Sequence, residues 1–153
     1  MDTNKRRLMV IGAGLYQVPA IQMGKKLGAH VIAIDGTAKA PGLSAADEQY
    51  VQDISDPEGC LQLARQLNVD AVVSICTEMG VRSAARIAEV MGLPGISTDA
   101  ALAATDKWVM RNRFAEAGIP GPKFRLAVNE PDVLRIGKEL AFPVVVKPVD
   151  SAG

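Results

Sequence analysis

Gly12 and Gly14, in the stretch IGAGLYQ, follow an apolar run, RLMVI, that reads as a buried strand. Glycine there lets the backbone pass close to a ligand and leaves a helix N-terminus facing it, an arrangement that holds anions. Asp35 closes VIAID about 20 residues on, where a dinucleotide-binding fold keeps its ribose-binding acid. The third glycine of that fingerprint is replaced by Gln17, whose side chain is expected to disturb close helix–strand packing. The turn alone therefore leaves three readings open: a nicotinamide dinucleotide, another small anion, or a structural turn. Lys147 ends PVVVK, and on residue type alone reads as an edge-strand charge that discourages aggregation. Strand alternation places it on the face of Val145, with Val144 and Val146 opposite. Lys107 lies in the first turn of a helix, where the dipole opposes a cation by about 1 kcal/mol at most. Glu78, in CTEMG, reads as a helix-start charge favourable to the dipole.

Other reactive types are sparse. His30 is the only histidine and reads as an edge residue of a strand. Cys60 and Cys76 lie far apart without CxxC spacing, so a zinc site is not expected, and two free thiols suit a reducing cytosol.

Repeated strand–helix units position these residues. After RLMVI, the stripe Ala20, Met23, Gly24 and Leu27 predicts a core-facing helix that Gly28 closes. HVIAI is a second strand and Tyr50–Gln52 a short third. Ser55, Asp56, Pro57 and Glu58 start a helix with the stripe Cys60, Leu63, Ala64 and Leu67. VDAVVSI is a fourth strand, apolar throughout as in a sheet covered on both faces. A helix over Met79–Met91 buries Ala84, Ile87, Ala88 and Met91, and PGIS is expected as a short fifth strand. This order predicts a doubly wound, Rossmann-like parallel sheet with helices on both faces. After Ala104 the rhythm changes. A helix from Asp106 to Ala117 is followed by a strand KFRLA, a capped helix from Asn129 to Leu140 directing Val133, Ile136, Gly137 and Leu140 inward, and a strand FPVVVKP. That strand–helix–strand piece is an incomplete α+β unit.

The chain has 153 residues, 48% hydrophobic and 4% aromatic, enough for an aliphatic core without staples. Its 17 basic and 17 acidic residues give no basic excess, so nucleic acid is not an expected partner. KRR before LMVIGAGLY imitates a signal peptide, but no A-x-A site follows and Gln17 and Pro19 interrupt the apolar run. The expectation is a soluble, cytoplasmic protein without a membrane partner.

The stretch AIDGTAKAPGLSAADEQYVQDISDPEGCLQLARQLNVDAVV joins Asp35 to Ala40-Pro41 and then to Ala46-Asp47. Together with ATDKWVMRNRFAEAGIP and FPVVVKPVDSAG it resembles the amino-terminal region of ATP-grasp enzymes, over essentially the whole chain. The nearest likeness is to formate-dependent glycinamide ribonucleotide transformylase and carboxyaminoimidazole ribonucleotide synthase, with biotin carboxylase and the carbamoyl-phosphate synthase large chain as kin. The resemblance implies a pre-ATP-grasp domain over 1–104 and the start of an ATP-grasp domain over 105–153. It implies an ATP-dependent ligase that activates a small-molecule carboxylate as an acylphosphate for attack by an amine. Lys107 and Lys147 then approach the ATP phosphates, and Ser151, Ala152 and Gly153 begin the small-residue loop that covers them. Gly12, Gly14, Leu15, Tyr16, Gln17 and Glu78 become substrate-binding candidates. The acids that hold Mg2+ are expected beyond Gly153, so this chain alone is expected not to turn over. The purine enzymes often show Glu-Leu-Gly or Gln-Leu-Gly after the second glycine, whereas this chain has Leu-Tyr-Gln. A homodimer is compatible with such a sheet, but no residue pattern demonstrates one.

Overall fold

A computed structural model describes residues 5–150. Four parallel strands, β1 (Arg7–Ile11), β2 (His30–Asp35), β3 (Glu48–Val51) and β4 (Ala71–Ser74), form one sheet in the order β3-β2-β1-β4. The chain winds outward from β1 through β2 to β3, then crosses back to place β4 on the other side of β1. Helix α1 (Val18–Lys26) makes the crossover from β1 to β2 and α2 (Pro57–Gln66) that from β3 to β4, while α3 (Met79–Met91) follows β4.

Strand alternation divides the core in two. Met9, Ile11, Ile32 and Ile34 meet Cys60, Leu61 and Ala64 of α2 and Ile87 of α3 on one face. Val10, Val31 and Ala33 meet Ile21 of α1 and Leu43 on the other. Burying each such aliphatic side chain contributes about 1.5–3 kcal/mol, and both faces are covered, as a parallel sheet requires.

The phase of α1 departs from expectation. Ile21 and Gly24 are its buried residues, while Met23 and Leu27 are exposed. A 3-10 turn over Leu15–Gln17 precedes the helix and rotates its inner face. Gly24 is where α1 comes nearest the sheet: a Cβ there would lie 2.9 Å from both Leu8 Cδ2 and Val31 Cγ2. The close packing is thus supplied within the helix, and Gln17 does not prevent it. In α2 the inner face includes Leu61, with Leu63 and Leu67 only partly buried.

No fifth strand forms at Pro94–Ser97. That segment packs on α3, where a Cβ on Gly95 would meet Ala88 Cβ at 2.6 Å. A cleft of about 170 Å³ separates it from Val72, Val73 and Ser74, so no ladder closes along the edge of β4.

The chain divides into two compact units, 1–101 and 102–153, and the division falls within α4 (Thr98–Thr105). The second unit carries α5 (Lys107–Glu116), capped by the Asp106 carboxylate on Val109 N–H, and α6 (Glu130–Leu140), capped by Asn129 on Asp132 N–H. Trp108 meets Phe124 edge-on at 5.6 Å, and Phe142 covers Gly137 of α6. The expected strands KFRLA and FPVVVKP are not formed. Val145 and Val146 are both exposed, so the alternation that set Lys147 opposite Val146 is absent. β-branched residues favour strands by fitting a neighbouring pleated surface, and among the described residues these segments have no ladder partner.

Candidate functional site

The order β3-β2-β1-β4 makes the gap between β1 and β4 the point where the winding reverses. In open α/β sheets, ligands bind in the crevice beyond the carboxyl ends of the strands at that point. Two loops of this chain meet there.

The first leaves β1 as Gly12-Ala13-Gly14 and is tightly held. Gly12 N–H donates to Ile34 O at 2.9 Å and adopts φ +92°, a conformation glycine alone takes freely. Ala13 N–H donates to Asp35 Oδ2 at 2.8 Å, and Ala13 O accepts from Gly42 N–H at 2.7 Å. Asp35 Oδ1 accepts from Thr37 N–H at 2.8 Å. Both oxygens of the aspartate therefore serve the backbone of the first and second βα loops. That arrangement is a brace for the turn.

The second loop leaves β4 as Ile75-Cys76-Thr77-Glu78. Gln17 joins the two: its Nε2 donates to Ile75 O at 2.7 Å and the side chain is 5% exposed. The same side chain lies against the glycines, since a Cβ on Gly14 would sit 2.9 Å from its Oε1. Gln17 is thus a structural tie in this arrangement. Glu78 is exposed at the N-cap position of α3 and its side chain makes no cap bond. Leu15 and Tyr16 project from the first loop 71% and 75% exposed, and Met79 opens α3 at 60%. Gly80 follows, buried, and lets α3 start against Ile11 and Ser74.

Sequence reasoning did not single out Thr77 or Gly80. Thr77 Cγ2 would lie 3.3 Å from a Cβ on Gly12. The one available signal was the glycine of CTEMG itself, two residues beyond Glu78.

In the second unit, Lys107 is the first residue of α5 and half-buried, and its N–H donates to Val149 O at 2.8 Å. Val149 lies two residues beyond Lys147, which is exposed. The start of α5 and the segment carrying Lys147 are therefore neighbours. Ser151, Ala152 and Gly153 lie outside the described residues. Among the described residues no group of three or more His, Cys, Asp or Glu is placed to hold a metal, and no helix is long and apolar enough to cross a membrane.

This architecture, a parallel sheet flanked by helices, is consistent with the Rossmann-like domain at the amino end of ATP-grasp enzymes. Across nearly its whole length the chain resembles formate-dependent phosphoribosylglycinamide formyltransferase and the ligases related to it. It is 30% identical over 157 residues to that enzyme of Prochlorococcus marinus (strain MIT 9313), covering 99% of this chain and 39% of the relative. The enzyme of that name from Rhodococcus jostii (strain RHA1) is 29% identical over 148 residues, covering 95% of this chain and 37% of its own. Among solved structures, phosphoribosylglycinamide synthetase from Anaerococcus prevotii superposes with a TM-score of 0.77 at 32% identity, over 96% of this chain and 38% of that one. L-amino acid ligase from Bacillus licheniformis shares the fold, with a TM-score of 0.76 at 24% identity over 96% of this chain and 38% of that one. No protein-family model matches the chain. The chain thus spans well under half the length of the relatives it matches.

Proposed function

We propose that this chain is the amino-terminal part of an ATP-dependent carboxylate–amine ligase, with the pre-ATP-grasp domain over 1–104 and the start of the ATP-grasp domain over 105–153. A carboxylate oxygen of a small substrate attacks the γ-phosphorus of ATP, and the bond to ADP breaks. An amine then adds to the acyl carbon, inorganic phosphate departs with its electron pair, and the nitrogen releases a proton. Lys107 and Lys147 serve the ATP phosphates, and Ser151, Ala152 and Gly153 belong to the loop over them. Gly12, Gly14, Leu15, Tyr16, Gln17 and Glu78 serve the substrate, Gln17 and the glycines by holding the loop that presents the others. Residues after Gly153 supply the Mg2+ ligands, so the 153-residue chain alone does not turn over.

The observation that carries this reading is the hydrogen bond from Lys107 N–H to Val149 O, which sets the two lysine-bearing segments side by side. Two ammonium groups that converge on a polyphosphate offset charge that a protein otherwise holds poorly. The test is calorimetric titration of Mg-ATP into the full-length polypeptide that contains this chain. Lys147→Ala removes a charge-assisted contact worth about 1.5–3 kcal/mol and is expected to weaken binding roughly 10- to 100-fold. Unchanged affinity, or tight NADH binding without ATP binding, refutes the assignment.

A further inference from the structure

Cys76 adopts φ +53°, in the left-handed region that a residue with a side chain enters only at a cost. It lies in the loop after β4, two residues before Glu78, so the bend there sets where Glu78 stands at the start of α3. The contacts that flank the bend come from the other crevice loop. Gln17 Nε2 donates at 2.7 Å to the carbonyl of Ile75, immediately before Cys76. The methyl of Thr77, immediately after it, packs on Gly12, where a Cβ would lie 3.3 Å away.

The Gln17 tie is closely fitted. Its side chain is buried between the loops, and a Cβ on Gly14 would lie 2.9 Å from its Oε1. Real side-chain carbons do not come so near, so glycine at 14 is what lets Gln17 reach Ile75. A buried amide left without its partner costs the full desolvation of the group, which is more than one hydrogen bond returns, and this keeps the loops together.

Resting on the ligase reading above, we infer that Gln17 is a positioning residue: its amide locks the two crevice loops into one unit, and the left-handed bend it holds at Cys76 fixes where Glu78 meets the substrate. Gln17 stands where the dinucleotide fingerprint has its third glycine, and a glycine could not make this link.

The test is NMR relaxation of the full-length polypeptide, with thermal melts, on Gln17→Met, which fills a similar volume but donates no hydrogen bond. In the parent, residues 75–78 are expected to be rigid, with backbone order parameters of about 0.85. In Gln17→Met those of 76–78 should fall toward about 0.6, while β1 and β2 keep theirs. Gln17→Asn, an amide one methylene short of Ile75, should behave in the same way and serves if the methionine variant does not fold. Cys76→Gly should raise the melting temperature of the parent by about 2–4 °C, by relieving the left-handed residue. The same change should give no gain beside Gln17→Met, where the bend is no longer held. The inference is overturned if the loop keeps its order in both Gln17 variants, if order falls alike across the sheet, or if Cys76→Gly gives an equal gain in both backgrounds. These measurements need no substrate, and ATP binding is read in its own titration. Failure here therefore leaves the ligase assignment standing, and failure there appears as absent ATP binding with the loop result unchanged.

Discussion

Adding one methyl group at Gly80 sets two effects against each other at the mouth of the crevice. Alanine in a helix is favoured over glycine by about 1 kcal/mol at most, and less in a first turn. Against this, a Cβ at Gly80 would lie 2.6 Å from Ser74 Oγ and 2.8 Å from Ile11 Cγ2. The serine hydroxyl can rotate. Ile11 cannot retreat: it is fully buried in the sheet, and β-branching restricts its χ1. Overpacking of this kind costs about 1–3 kcal/mol, so the balance falls on the side of destabilisation by about 1–2 kcal/mol. Each kcal/mol lowers Tm by about 4–8 °C in a domain of about 100 residues. Gly80→Ala should therefore melt several degrees below the parent in far-UV circular dichroism. Adding Ser74→Ala should recover only part of the loss, because the contact with Ile11 remains. A Gly80→Ala variant as stable as the parent would show that helix propensity outweighs packing here, and that α3 is free to slide along β1.

Two further predictions concern the opposite end of the sheet and the thiols. Partial burial pushes the Glu48 carboxyl up, but hydrogen bonds from His30, Tyr50 and Arg7 and the Arg7 charge outweigh it, so the net shift is below its usual 4.5. A depressed carboxylate contributes stability above its unfolded value that is lost as pH falls through the folded one. Glu48→Gln should accordingly flatten the loss of stability below about pH 4.5 in acid denaturation, and an unchanged acid limb would count against the cluster. Cys60 is buried and burial pushes its thiol up to about 11, while Cys76 is exposed. Ellman's reagent at neutral pH should therefore label one thiol promptly and the second only on unfolding; two fast equivalents would contradict the packing of α2.

Most of the sheet was legible because β1, β2 and β4 are largely apolar runs set among glycine turns and capped helices, signals that depend on local chemistry, whereas β3, Glu-Gln-Tyr-Val, carries little of that signal. Asp106 and Asn129 cap α5 and α6 as the residue types imply. Where the reading failed, a distant partner decided. Val144–Val146 have strand propensity, but a ladder needs a second strand, which no property of VVV supplies. The inner face of α1 depended on a 3-10 turn whose geometry rests on Gln17 reaching Ile75, 58 residues away. Helix α4 was missed because TDAALAAT is built of small residues with little periodicity, and its start shows only in Ser97 Oγ accepting from Ala100 N–H. At the site, the glycines, Asp35 and Glu78 could be named from sequence, but that Asp35 spends both oxygens on backbone could not.

The Arg7–His30–Glu48–Tyr50 cluster sits where the parallel strands begin, and the crevice opens where they finish. Five residues of strand span about 16 Å, beyond the roughly 8 Å over which physiological salt lets exposed charges sense each other. Acidity and mutation can therefore tune how firmly the scaffold holds together without being felt by a bound molecule. Recognition at the crevice is equally free to drift toward new partners while the foundation stays as it was.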